Sequence, residues 1–107
     1  MLPKTSRFTR AEFDALLKGG RVRNYPLFSL RFAPGFVGRK AAVVVSKKEA
    51  ALASLRNRAR RRVYAALRPS LSLLPARTGV AFFLRKGSLT ATPAELRAAI
   101  DEALRAL

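Results

Sequence analysis

The sequence predicts an α+β fold of the α/β sandwich type: a two-layer structure with helices packed on a sheet of about four strands, in the order α-β-β-β-α-β-α. Three observations predict it. Residues 27–33 alternate apolar and polar side chains, the period of a half-buried strand. Two Thr-x-x-Glu boxes, Thr9 to Glu12 and Thr92 to Glu95, each open an amphipathic stretch. Between them an arginine-rich segment keeps an apolar stripe at helical spacing until Pro69 ends it.

Taken in order, the first box starts a short helix carrying Phe13, Leu16 and Leu17, which stops at Gly19 and Gly20. Residues 21–24 form a brief extended piece. In the strand at 27–33, Phe28, Leu30 and Phe32 share one face and Leu27, Ser29 and Arg31 the other. The Pro-Gly-rich run at 34–38 reads as a hairpin turn. Residues 41–45 are apolar on both faces, the pattern of a central strand. A helix is expected from about 50 to 68, a connecting loop over 69–78, a third strand over 79–85 and a polar turn over 86–91. The second box, with Pro93 at the first helical position, opens a terminal helix whose apolar face is Leu96, Ile100, Ala103, Leu104 and Leu107. No repeat or linker divides the chain, so residues 1–107 read as a single domain.

Composition narrows the function. The 107 residues include 22 Lys+Arg and 6 Asp+Glu, a formal charge of +16. Half are hydrophobic, which favours a folded body over a disordered basic tail. Charge of that sign and density points to nucleic acid or an anionic membrane surface. Cysteine and histidine are absent, which removes disulfides, the common zinc ligand sets and the usual general base. The six carboxylates are scattered, so the chain lacks the cluster a lone metal-dependent nuclease needs. No apolar run has signal-peptide or membrane-spanning character, and the cytoplasm is the expected compartment.

Residues 56–62 decide which polyanion is meant. Five of these seven side chains are arginine, and no acid occurs from Ala50 through Ala94. Like charges four apart on a helix repel, so this density calls for an anionic partner. Placed on a helix, Leu52, Leu55, Ala59, Val63 and Ala66 fall within a sector about 80° wide, with Leu67 beside it. Asn57, Arg58, Arg61, Tyr64 and Arg68 lie away from that stripe, and Arg60 and Arg62 flank it. A solvated face would normally mix charge signs. Arginine binds phosphate with a planar two-pronged donor set. Because the other side of the helix packs on a sheet, a nucleic-acid surface is favoured over a membrane one. These residues do not separate RNA from DNA. Phe28, Phe32, Phe82 and Phe83 could stack on unpaired bases, although core positions suit most of them better.

The chain resembles the protein subunit of bacterial ribonuclease P over nearly its whole length. Leu2, Pro3 and Lys4 with Arg7 and Phe8, then Glu12 and Phe13, then Gly20, are similar to that family's N-terminus. Val45, Ser46, Lys47 and Lys48, followed after seven residues by Arg56-Asn57-Arg58-Ala59-Arg60-Arg61, are similar to its signature. The resemblance implies a compact α/β sandwich with a left-handed βαβ crossover, an exception to the usual hand. It also implies a protein cofactor of an endoribonuclease whose RNA subunit holds the catalytic Mg2+ and performs the hydrolysis. The protein would bind the catalytic RNA and the 5′ leader of precursor tRNA, as a monomer in the holoenzyme. Arg56, Asn57, Arg58, Arg60 and Arg61, together with Arg62, Tyr64 and Arg68, would then face catalytic RNA, flanked by Ser46, Lys47 and Lys48. Asn57 would lie near an RNA-bound Mg2+, with no metal held by the protein alone. Phe13, Leu17, Phe28 and Arg31 would line or border the leader cleft. Leu17 and Arg31 stand where the family usually has an aromatic and often a tyrosine, and Tyr64 and Ala65 also depart from its pattern. The alternative is a ribosomal-type structural RNA-binding protein, which shares size, charge and fold class.

Overall fold

A computed structural model describes residues 2–107. Its first helix, α1 (Arg10–Gly19), begins at the expected box: the Glu12 N–H donates to the Thr9 hydroxyl at 3.2 Å, and the Thr9 N–H donates to the Glu12 carboxylate at 2.8 Å. Four strands, β1 (Arg21–Asn24), β2 (Phe28–Pro34), β3 (Lys40–Val44) and β4 (Thr78–Leu84), form one mixed sheet in the order β1-β2-β4-β3. β2 is antiparallel to both β1 and β4, whereas β3 and β4 run parallel. A parallel pair needs a long crossover. Here it is α2 (Ala53–Leu67), the arginine-rich helix. The chain ends in α3 (Pro93–Arg105), capped by the second box.

Two expectations about strand pairing are corrected. The turn at residues 34–38 does not close a hairpin, because β4 lies between β2 and β3. The N–H groups of Gly35 and Phe36 both donate to the Arg77 carbonyl at 3.0 Å, which ties the turn to the start of β4. Phe36 then lies over Gly79, where a Cβ would come within 2.7 Å of that ring and of Phe8. Only a glycine lets both rings rest on the strand. In consequence β3 is an edge strand and not a central one. Its apolar character on both faces reflects cover from the helices on one side and an aromatic cluster with a concavity on the other. On its outer edge the Val43 N–H donates to the Tyr64 hydroxyl at 3.1 Å.

α2 and α3 bury one sheet face. Phe28, Leu30, Val80 and Phe82 meet Val63, Leu67, Leu96, Ile100 and Leu104 in the main core. On the opposite face Leu16, Phe36 and Ala81 form a smaller cluster, with Phe8, Phe13 and Phe83 partly buried around it. Two layers thus carry most of the burial, and α1 adds partial cover on the far side.

The arginine-rich helix also begins later than its pattern suggested. The Arg56 guanidinium donates to the carbonyls of Ala50 and Ala51, at 2.9 and 2.8 Å, which holds the lead-in non-helical up to Leu52. Ala59, Val63, Ala66 and Leu67 are buried as expected, but Leu52 and Leu55 remain 63% and 46% exposed. The segments at 69–78 and 86–91 contain short 3-10 turns, Arg68–Leu73 and Lys86–Leu89.

Candidate nucleic-acid interface

The basic surface is built on α2 and the turn that feeds it. Ser46, Lys47 and Lys48 are exposed in a turn closed by the Glu49 N–H, which donates to the Ser46 carbonyl at 3.2 Å. Along α2, Asn57, Arg58, Arg61 and Arg68 are exposed, and Arg60 and Tyr64 half-buried. The amphipathic division read from the sequence therefore places Asn57, Arg58 and Arg61 outward together. Without an acid between Ala50 and Ala94, their field is not neutralised within the helix.

Two arginines of the run face the protein. Arg56 holds the lead-in to α2. Arg62 donates to the carbonyls of Ser88 at 3.5 Å, of Leu89 at 3.0 Å and, more closely, of Ala91. Both guanidinium groups, expected on the RNA face, donate here to backbone carbonyl oxygens of the protein. Tyr64 likewise commits its hydroxyl to the β3 edge. The Asn57 amide oxygen accepts from Arg60. A cation would have to share that oxygen with a guanidinium, so Asn57 by itself is a poor metal ligand. Among the described residues there is no group of three His, Cys, Asp or Glu able to hold a metal ion.

The second surface lies on the face that α1 covers at one end only. A shallow concavity there is lined by Ser29, Val44, Ser46, Glu49, Phe83 and Arg85. Phe83 is half-buried, and the Arg31 guanidinium sits 5.8 Å from its ring centre while donating to the Leu17 carbonyl at 2.8 Å. Asn24 accepts from Ser29 and from Arg85, each at 3.0 Å, closing one side.

Of the expected cleft residues, Phe13, Leu17 and Arg31 belong to this side. Phe28 does not: it is fully buried against Phe82 on the α2/α3 side, 5.0 Å between ring centres. The physical reason is strand alternation, which turns Phe28 and Ser29 to opposite faces. Phe83 is the aromatic that lines this concavity, and sequence reasoning left it among core positions. Its signal was present, since it alternates with Phe82 as Ser29 and Arg31 alternate with Phe28 and Leu30.

A mixed sheet with an acid-free arginine helix on one side and an aromatic concavity on the other has the character of a nucleic-acid-binding protein. The sequence matches the family described as Ribonuclease P over residues 2–107, and the chain belongs to that family. The ribonuclease P protein of Thermotoga maritima superposes with a TM-score of 0.81 at 20% identity, over 94% of this chain and 96% of that one. That of Staphylococcus aureus does so with a TM-score of 0.79 at 19% identity, over 96% and 95%. No curated protein sequence matches the chain. Its role is that of the protein subunit of ribonuclease P in tRNA 5′ processing, an endoribonuclease whose catalysis rests with the RNA subunit. Membership implies association with ribonuclease P RNA and precursor tRNA, and the ribosomal alternative is not favoured. Among the described residues no helix is long and apolar enough to cross a membrane.

Proposed function

We propose that α2 and the turn at Ser46, Lys47 and Lys48 dock on the catalytic RNA, while the concavity beside them receives the 5′ leader of precursor tRNA. One observation carries this reading: the two surfaces share a rim. Ser46 and Glu49 border the concavity and also belong to the lead-in of the arginine helix. A leader lying over Phe83 and Arg31 is thereby held beside whatever RNA contacts Lys47, Lys48, Arg58 and Arg61. Arginine positioning lowers the repulsion between two RNA strands, and the stacking groups are tolerant of sequence. One aromatic ring with Arg31 over it, and Leu17 in place of a ring, gives weak base preference and steep salt dependence.

Mg2+ is assigned to the RNA subunit, with which the catalysis rests. The protein acts as a monomer within the holoenzyme, in the cytoplasm. Arg58→Ala and Arg61→Ala should each weaken binding to a bacterial ribonuclease P RNA and reduce the salt slope by about one. Unchanged affinity and slope in both variants would refute the docking face.

A further inference from the structure

The exposed leucines of α2 are the least expected feature of the basic surface. Leu55 is 46% exposed on a helix that also turns Arg58 and Arg61 outward, and Leu52 just before it is 63% exposed. Leu55 is not isolated: with Ala59 and Leu89 it forms the apolar part of a groove between α2 and the Lys86–Leu89 turn, bordered by Arg58 and Arg62. Arg62 is locked there, its donors turned to the carbonyls of Ser88, Leu89 and Ala91. Its N–H donors are thereby engaged within the protein, while the side chain still lines the groove. Arg58, by contrast, has no partner among the described residues, and Lys86 is exposed in the turn on the far side.

We propose that this groove is a socket for one unpaired nucleobase of the RNA on which α2 docks, a reading that rests on the docking face proposed above. The base stacks on the Arg62 guanidinium and is covered by Leu55 and Leu89, while Arg58 takes its phosphate. Charge complementarity selects this occupant. An apolar side chain of a protein partner would bring no anion to meet Arg58 and Lys86. A nucleotide supplies a flat apolar surface and a phosphate in one unit, and arginine planes and apolar side chains are common platforms for splayed bases.

The test uses full-length protein and a bacterial ribonuclease P catalytic RNA, with binding measured over a series of salt concentrations. Leu55→Ser should lower affinity roughly tenfold, the lower range for loss of one stacked base, and leave the salt slope unchanged because no charge is removed. Leu89→Ser, on the opposite wall, should do the same. Thermal unfolding of Leu55→Ser should stay close to that of the parent, since nearly half of the side chain is already exposed. Unchanged affinity in Leu55→Ser, with Arg58→Ala still weakening binding, overturns the socket and leaves the docking face standing. If Arg58→Ala and Arg61→Ala are also silent, the docking face itself has failed. Loss of self-association in Leu55→Ser with RNA affinity intact would make a second copy of the chain the occupant, and would equally overturn the proposal.

Discussion

Replacing Arg62 with methionine separates a latch from a phosphate contact, two roles that look alike in a sequence. Its guanidinium bridges from α2 to three carbonyls of the segment before α3, and two of the residues concerned, Ser88 and Ala91, are only 1% and 6% exposed. Hydrogen bonds to a charged group are worth about 1.5–3 kcal/mol each, and those sharing one donor group do not add fully. Methionine keeps much of the stem packing but none of the donors, so the expected cost is about 2–4 kcal/mol. For a domain near 100 residues each kcal/mol lowers the melting temperature by about 4–8 °C, which makes the total on the order of 10–30 °C. Circular dichroism melting at fixed sulfate measures this. RNA binding, measured well below the melting temperature, should keep its salt slope. Arg62→Lys should not restore stability, because a point charge cannot reach three acceptors as a planar fork does. An unaltered melting temperature together with a slope reduced by about one would refute the latch and return Arg62 to the RNA face.

Gly79→Ala should destabilise the protein by about 1–3 kcal/mol in urea titration, since its Cβ would meet the rings of Phe36 and Phe8 at 2.7 Å. Phe28→Ala and Phe83→Ala should part company. The first removes a fully buried ring and costs about 3–5 kcal/mol of stability, whereas the second weakens precursor-tRNA affinity only when a leader is present. Equal effects of the two on leader affinity, with both proteins folded, would undo the assignment of faces. Acid should loosen both capping boxes. The Thr9 and Thr92 backbone N–H groups hold the carboxyls of Glu12 and Glu95 below their usual range, so this contribution is present above about pH 4.5 and is lost as pH falls through the lowered values. Glu95→Gln should therefore flatten the pH dependence of stability in that window, as seen by thermal melts from pH 3 to 5.

What could be read from the chain was local. Both Thr-x-x-Glu boxes form as written, because capping is settled within four residues. The buried stripe of α2 and the face of α3 likewise follow from periodicity. Pairing was not legible, because it joins residues far apart in sequence. Nothing in residues 34–38 reveals that Gly35 and Phe36 will bond to Arg77, or that β4 will enter between β2 and β3. The interface shows the same division. Periodicity turned Arg58 and Arg61 outward, but the bonds of Arg56 and Arg62 depend on where other segments come to rest. The period of two in β2 and β4 sorted Phe28 from Ser29 and Phe82 from Phe83. It could not say which face α1 would leave open.

Tyr64 and β1 bear on a hazard that has nothing to do with tRNA. An open four-stranded sheet has two rims, and each offers unpaired amides to any neighbouring chain. One rim is β1, fully exposed, where Arg21 and Arg23 bracket Val22. On the other, the Tyr64 hydroxyl occupies the Val43 amide from a helix dense in positive charge. Two copies approaching rim to rim would bring arginine against arginine. The charge that gathers RNA therefore also guards against polymerisation, and it acts most strongly when RNA is scarce and nothing else covers the protein.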